Sequence, residues 1–169
     1  MFVNSIGTRD TKCYHKVHPQ TMRVQKGGAQ MAYPIDQTSY HLGIIFAFAE
    51  MVAADLKKMA LSLPFLPNDY KRLARDAKRI AREEGVRIRL EKHLLTTDLF
   101  PEEFTRGKWV FIIYKYPEVL KRYFSLKSKK DQLIHENHYK GKKREAIAVG
   151  FGDLLSYRKD VIKRKLKGK

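Results

Sequence analysis

The segment KWVFIIYK, residues 108–115, is continuously apolar and aromatic between its two flanking lysines. β-Branched and aromatic residues are favoured in strands, and a run without polar alternation is typical of a strand buried on both faces. The segment therefore predicts the central strand of a sheet. A second strand is predicted at 86–92, VRIRLEK, where Val86, Ile88 and Leu90 alternate with charged residues as in a half-buried strand.

A long helix is predicted before these strands. Asp36 or Thr38 can cap a helix that continues to about Leu63, where Pro64 and Pro67 prevent its extension. The first half of this segment is apolar on all sides. That pattern is typical of a buried helix, so we expect the first helix to lie in the core.

The next segment predicts an amphipathic helix with one strongly basic face. Asn68 is a suitable cap and Gly85 a suitable end. At 100° per residue, Leu73, Ala77 and Ile80 share one side of the helix and six cations lie on the other. At 1.5 Å per residue, the basic face is about 16 Å long, and three border acids are too few to neutralise it. The six cations are Lys71, Arg72, Arg75, Lys78, Arg79 and Arg82.

Three further helical segments are predicted after the central strand. The first begins at Pro117, the second covers about 130–139, and the last covers 146–162. Gly150 and Gly152 would bend the last helix or allow close packing. The predicted fold class is therefore helix-rich α+β, with a buried N-terminal helix, a basic amphipathic helix, a small two- to three-stranded sheet and C-terminal helices.

The domain organisation is predicted to be simple. Residues 1–35 are weakly patterned and broken by Pro19, Gly27–Gly28 and Pro34. They predict an extended N-terminal arm, through which the protein could self-assemble. Residues 36–166 are expected to form a single globular domain with a basic C-terminal end.

The charge of the chain is strongly positive and unevenly distributed. The sequence has 35 basic and 18 acidic residues, a net charge of +17. Residues 115–169 contain 17 basic and 6 acidic residues, whereas residues 36–114 contain 13 and 11. A surface of one sign repels itself, so such an excess is typical of a protein that binds a polyanion. Nucleic acid is the first candidate partner and anionic lipid the second.

Several features bear on the location of the protein. Residues 1–20 show no secretory signal, since they contain charged residues and no apolar core. The longest apolar stretch, 42–49, is too short to span a bilayer. The single cysteine, Cys13, excludes an internal disulfide and fits a reducing compartment, so we expect a cytoplasmic protein, or a virion protein if it is a coat protein. Abundant Lys, Arg and Glu with little Asn are typical of a thermophile.

The segment HENHYKGKKRE, residues 135–145, combines two potential metal ligands with a cluster of cations. His135 and His138 could share a metal, with further ligands from the histidines and cysteine at 13–18. Zinc sites normally show repeated close pairs of ligands, which are missing here, so we expect neither metal nor cofactor. Gly141 would instead let backbone N–H groups approach an anion. The expected phosphate-binding residues of this segment are Lys140, Lys142, Lys143 and Arg144.

A partial nuclease pattern supplies an alternative function. Restriction-type nucleases hold a metal with an Asp on one strand and a Glu-x-Lys pair on the next. This chain resembles them in having Asp98 before the apolar strand and Lys115 at its end, but Ile113 stands where the motif has Glu. The resemblance implies a degenerate nuclease core, because a main metal ligand is missing.

The leading hypothesis is a sequence-independent nucleic-acid-binding protein of structural or packaging type, such as a coat protein or ribonucleoprotein component. It would contact the phosphate backbone of DNA or RNA through the basic helix face and the basic C-terminal third. No helix with the features of a sequence-reading element is apparent. The alternative is a metal-dependent enzyme acting on nucleic acid. A peripheral membrane protein ranks last, because no bulky apolar face adjoins the C-terminal charges.

Overall fold

The computed structural model describes residues 36–167, so the predicted arm at 1–35 lies outside the described residues. The described part of the chain forms five helices and a small antiparallel sheet, which confirms the helix-rich α+β fold class. No helix within 36–167 has both the length and the apolar character needed to cross a membrane. The elements are α1 (Gln37–Ala53), β1 (Met59–Leu61), α2 (Tyr70–Glu83), β2 (Arg87–Glu91), β3 (Val110–Tyr114), α3 (Pro117–His135), α4 (Gly141–Leu154) and α5 (Lys159–Lys167).

The sheet has the order β1-β3-β2, with β3 in the centre and antiparallel to both neighbours. Ala60 of β1 and Ile88 of β2 are both partners of Ile113 in β3. Four of the five β3 residues are buried, as the continuous apolar run predicts. The prediction of a central strand at 108–115 is therefore confirmed.

Helices cover both faces of the sheet. On one face, Phe111 and Ile113 of β3 share a core with α1 and α2. On the other face, Ile112 shares a second core with α3 and α4. Adjacent β3 residues thus belong to different cores, because successive side chains of a strand point to opposite faces. The sheet is the middle of three layers.

Helix α2 has the amphipathic character that its sequence predicts. Its buried positions include Leu73, Ala77 and Ile80, which pack toward α1 and the sheet. The helix ends at Glu83, and Gly85, just beyond the C-cap residue Glu84, adopts a φ of 68°. This left-handed conformation is accessible to glycine at little cost. Asn68 does not cap the helix as predicted, since it lies in a 3₁₀ turn before the first helical residue.

The predicted length of the first helix is wrong. Asp36 caps α1 as expected, accepting a 2.8 Å hydrogen bond from the Ser39 N–H, but the helix ends at Ala53 rather than near Leu63. Residues 59–61 instead form β1, which pairs with β3. Pairing with a buried strand satisfies backbone groups and buries side chains together, which outweighs the helical propensity of this segment.

The expectation that the first half of α1 is buried on all sides is also wrong. Ile45, Ala49 and Val52 form the buried stripe. Outside this stripe, Tyr40 and Phe46 are 48% and 44% exposed. The buried stripe follows the spacing of an ordinary surface helix, so α1 lies in an outer layer of the fold rather than in its centre.

The boundaries of the C-terminal helices also differ from the prediction. One uninterrupted helix, α3, replaces the first two predicted segments and ends at His135, so the prediction of helix at 136–139 is wrong. The predicted helix at 146–162 is divided into α4 and α5 by a turn at Ser156, where φ is 61°. The glycines do not interrupt α4. Gly152 allows close packing, since a Cβ there would lie 2.8 Å from Ile162 Cδ1 and 2.9 Å from Leu99 Cδ1.

Buried polar groups connect α3 to the loop that follows β2. The Leu95 N–H donates a 3.0 Å hydrogen bond to the hydroxyl oxygen of Tyr123, a fully buried residue. Glu91 is also buried, and its carboxylate accepts hydrogen bonds from Lys127 Nζ at 3.0 Å and the His93 N–H at 2.9 Å. Burial raises the pKa of the Tyr123 phenol, so the hydroxyl stays protonated across the usual pH range.

Replacing Tyr123 by Phe should lower the free energy of unfolding by about 1–3 kcal/mol, because the buried Leu95 N–H loses its acceptor. Denaturant titration measures this change. The matched control, Tyr40→Phe, removes a hydroxyl from an exposed residue and should stay within about 0.5 kcal/mol of the parent. Equal effects of the two substitutions would contradict a structural role for the Tyr123 hydroxyl.

Candidate nucleic-acid interface

The six predicted cations of α2 are all exposed, on the side of the helix away from its buried residues. Four of them form a straight row, which we call the α2 stripe. Its first and last members are eleven residues apart, about 16 Å along the helix axis. The α2 stripe consists of Lys71, Arg75, Lys78 and Arg82.

Ion pairs occupy the border of this face and leave the row itself open. Arg72 contacts Asp69 at 2.9 Å, and Arg79 contacts Glu83 at 3.0 Å. The hydrogen bond to Glu83 raises the pKa of the Arg79 guanidinium. Among the described residues, the closest carboxylate oxygen to any cation of the α2 stripe is 3.9 Å away. The sequence-predicted face therefore divides into two closely paired arginines and the four cations of the stripe, of which only Arg75 has a described carboxylate, that of Asp76, within 4.0 Å.

A second group of cations lies at the start of α4. Lys140 flanks the helix, and Lys142 and Lys143 lie in its first turn, all exposed. No side chain caps this end, and the first turn contains no acidic residue. Lysines near a helix N-terminus are electrostatically unfavourable, because the aligned peptide dipoles make this end positive. A bound phosphate would offset this repulsion and would accept hydrogen bonds from the uncapped N–H groups.

Arg144 has a different environment from the lysines beside it. Its Nε donates a 2.9 Å hydrogen bond to Asp98, and its Nη2 contacts the other oxygen of the same carboxylate. The hydrogen bond to Asp98 raises the pKa of the Arg144 guanidinium. The ring of Tyr139 lies 5.9 Å away. Arg144 therefore anchors α4 to the loop before β3, and less of its charge is available to a ligand than on the lysines.

Helix α5 adds cations that the residue-level prediction did not name. An open cleft of about 580 Å³ separates it from the first turn of α4, and the cations Lys163 and Lys167 line the cleft together with the carboxylates of Asp98 and Glu145. Their spacing of four residues places them on one side of α5. The sequence shows this spacing, but only the fold brings α5 beside the start of α4. Lys142 and Lys143 line a separate groove between α3 and α4. We use the name α4–α5 surface for the exposed lysines of both places together: Lys140, Lys142, Lys143, Lys163 and Lys167.

The α2 stripe and the α4–α5 surface lie on opposite sides of the sheet. Helix α2 covers the face that includes Ile113, whereas α4 covers the face that includes Ile112. Helix α5 packs on α4 through Ile162 and Ala148. Two helix layers and a sheet separate the two groups of cations, on the order of 25–30 Å. The structure thus does not combine the predicted residues into one continuous site.

The histidines considered as metal ligands do not share a helix face. His135 is the last residue of α3, and His138 follows a turn in which Asn137 has a φ of 57°. His138 Nδ1 lies 3.5 Å from Glu136. The potential ligands at 13–18 lie outside the described residues. Within 36–167, there is no cluster of three or more His, Cys, Asp or Glu side chains able to hold a metal ion.

The residues of the partial nuclease pattern are engaged elsewhere in the fold. Asp98 is the partner of Arg144, and Lys115 contacts Asp55 at 2.7 Å. Ile113, at the position of the missing Glu, is fully buried in the core. The structure therefore does not bring Asp98 and Lys115 together as a pair facing one ligand.

Comparisons with known proteins identify no relative. No protein-family model matches the chain, and no curated protein or solved structure is significantly similar to it. The function therefore has to be inferred from the geometry of the α2 stripe and the α4–α5 surface.

Replacing Lys142 and Lys143 by Gln should stabilise the free protein, because both lysines lie at the positive end of α4. We expect a gain of about 0.3–1 kcal/mol per residue at low ionic strength, which decreases as salt screens the interaction. Thermal unfolding at two salt concentrations measures it. The control is Lys108→Gln, an exposed lysine outside any helix, which should leave stability unchanged. A loss of stability in the double variant would contradict this description of the α4 terminus.

Proposed function

We propose that this protein binds nucleic acid independently of sequence, through the phosphate backbone, and serves a structural or packaging role. The observation that carries the proposal is the α2 stripe, a row of four exposed cations with no carboxylate closer than 3.9 Å in the described residues. A row of this kind costs electrostatic free energy in the free protein. Phosphates would remove this cost and release condensed counterions.

The dimensions of the α2 stripe suit a phosphate backbone. Duplex DNA carries one phosphate per 3.4 Å of axis on each strand, so a row of about 16 Å extends past about five phosphates of one strand. No bulky apolar side chain lies within the row, which argues for a phosphate partner rather than insertion into a lipid surface. Both DNA and RNA satisfy these contacts.

The position of the two cationic surfaces favours packaging over simple binding. The α2 stripe and the α4–α5 surface belong to helices that cover opposite faces of the sheet. One straight duplex cannot lie along both, so each surface would hold a different segment of nucleic acid. A protein of this kind would draw segments together, as a coat or ribonucleoprotein component does. A cytoplasmic or virion location, and self-assembly through residues 1–35, are parts of the same proposal.

Binding should depend steeply on salt, and the α2 stripe should account for part of the slope. With six to ten phosphate contacts, affinity should fall by about 10³–10⁵ between 50 and 200 mM salt. Replacing Arg75, Lys78 and Arg82 by Gln should reduce the log–log slope by up to about 0.9 per lost contact on duplex DNA. Filter-binding or anisotropy titrations with unrelated sequences give both quantities.

The control variant replaces Lys92, Arg106 and Lys108 by Gln. It removes the same three positive charges as the α2 variant, from positions outside both surfaces. If the control and α2 variants lose affinity equally, the effect reflects net charge and the α2 stripe is an ordinary solvated face. Both variants should unfold within about 0.5 kcal/mol of the parent, because exposed substitutions rarely cost more. A salt-independent affinity of the parent protein would contradict the proposed function itself.

The two-sided arrangement predicts that the protein bridges separate duplexes. A duplex attached to beads should capture a second, labelled duplex of unrelated sequence when the protein is present. Neutralising either the α2 stripe or Lys142, Lys143, Lys163 and Lys167 should preserve binding to one duplex while reducing capture of the second. If neutralising one surface leaves capture unchanged, bridging must involve two copies using the same surface. Binding without capture by the parent protein would refute only the packaging role.

A further inference from the structure

An apolar cavity away from both cationic surfaces has the features of a small-molecule site. It has a volume of about 220 Å³ and lies between β1, the loop before β3 and the turn that joins α4 to α5. Aromatic side chains form much of its wall, among them Phe48, Phe100, Phe104 and Tyr157. Phe100 and Tyr157 lie nearly parallel, with ring centroids 6.2 Å apart. No residue of the α2 stripe or of the α4–α5 surface lines it.

Lys57 is the one charged residue that the described part of the chain contributes to this mainly apolar wall, which also includes Ser62 and Thr105. Its Nζ donates a 2.9 Å hydrogen bond to the carbonyl oxygen of Leu155 and lies 5.9 Å and 5.7 Å from the ring centroids of Phe48 and Tyr157. An ammonium group has three donors, and this bond uses one of them. No carboxylate of the described residues lies within 4.0 Å of Lys57, whereas its neighbour Lys58 contacts Asp153 at 2.9 Å.

The partial burial of Lys57 makes an anionic ligand favourable. Desolvation lowers the pKa of its ammonium group, and no described carboxylate compensates for the lost hydration. Ser62 also lines the cavity, but protein groups already engage its hydroxyl. The hydroxyl donates to the Leu63 carbonyl oxygen and accepts from the Phe111 N–H, both at 2.9 Å. An incoming anion would therefore find Lys57 as its principal charged partner.

We propose that this cavity binds a small monocarboxylate with an aromatic or short acyl body, whose carboxylate accepts hydrogen bonds from Lys57 Nζ while its body contacts the aromatic wall. The volume corresponds to about seven water molecules in the liquid, below that of a drug-sized site, so the ligand has about ten non-hydrogen atoms. A phosphate ester needs more cations and N–H donors than one ammonium supplies, and its desolvation would cost more.

The first experiment compares a charged and a neutral probe of the same shape on the full chain. Isothermal titration calorimetry with 3-phenylpropionate should show saturable binding to one site. The corresponding alcohol, 3-phenylpropanol, should bind at least about tenfold more weakly, since a hydrogen bond to a charged group is worth about this factor or more. Equal affinities, or no saturable binding of either 3-phenylpropionate or octanoate, would overturn the proposal.

Variants identify the lysine responsible. Lys57→Met should remove the tenfold preference for the carboxylate, whereas Lys58→Met, which removes the same charge from the next residue, should keep it. If both substitutions weaken 3-phenylpropionate equally, the overall positive charge attracts the probe and no site exists at Lys57.

Lys57→Met also removes the hydrogen bond from Lys57 Nζ to the Leu155 carbonyl oxygen, so a loss of binding in this variant could come from misfolding. A second measurement therefore uses the parent protein, in which this bond is intact. Reductive methylation of lysines, followed by peptide mass spectrometry, should proceed several-fold more slowly at Lys57 when 3-phenylpropionate is present. The rate at Lys58 should not change. Equal protection of both lysines, or of neither, would count against the cavity as the binding site.

Discussion

The burial of β3 on both faces is the constraint on which the rest of the structure depends. A five-residue strand with apolar side chains on both sides cannot be covered by a single layer of helices. The chain therefore places α1 and α2 on one face and α3 and α4 on the other, with β1 and β2 completing the sheet at its edges. The direction in which each helix presents its charges follows from this division.

The sequence predicts those elements whose pattern is local and strong. The period of α2, the alternation in β2 and the apolar run of β3 each extend over enough residues to identify the element, and Gly85 marks the end of α2. The three residues of β1 carry no such pattern, since only their pairing with β3 makes them a strand. The turn at Ser156 was missed for a related reason. A single non-glycine residue with positive φ gives little local signal, whereas the nearby Gly150 and Gly152, which predict a bend, lie within the uninterrupted α4.

The candidate interface could be predicted only in part, because the sequence shows where cations are and not what they contact. Arg144 belongs to the most basic segment of the chain, yet a carboxylate 46 residues away binds its guanidinium. Lys127 likewise contacts the buried Glu91, and Lys130 donates to the Thr96 carbonyl oxygen at 2.8 Å. These cations hold α3 and α4 against the loop before β3. The net charge of +17 therefore overstates the charge that a polyanion can reach.

The separation of the two cationic surfaces also determines how the protein's field changes with salt. At about 0.1 M ionic strength, electrostatic interactions decay over about 10 Å, much less than the 25–30 Å between the α2 stripe and the α4–α5 surface. Each surface then acts on its own, and substitutions in the two should have additive effects on binding. At about 0.01 M the decay length reaches about 30 Å, so the surfaces repel each other and attract a polyanion jointly. Low salt thus couples the two cationic surfaces electrostatically, whereas physiological salt makes them act separately, which is the state that the proposed bridging of two segments requires.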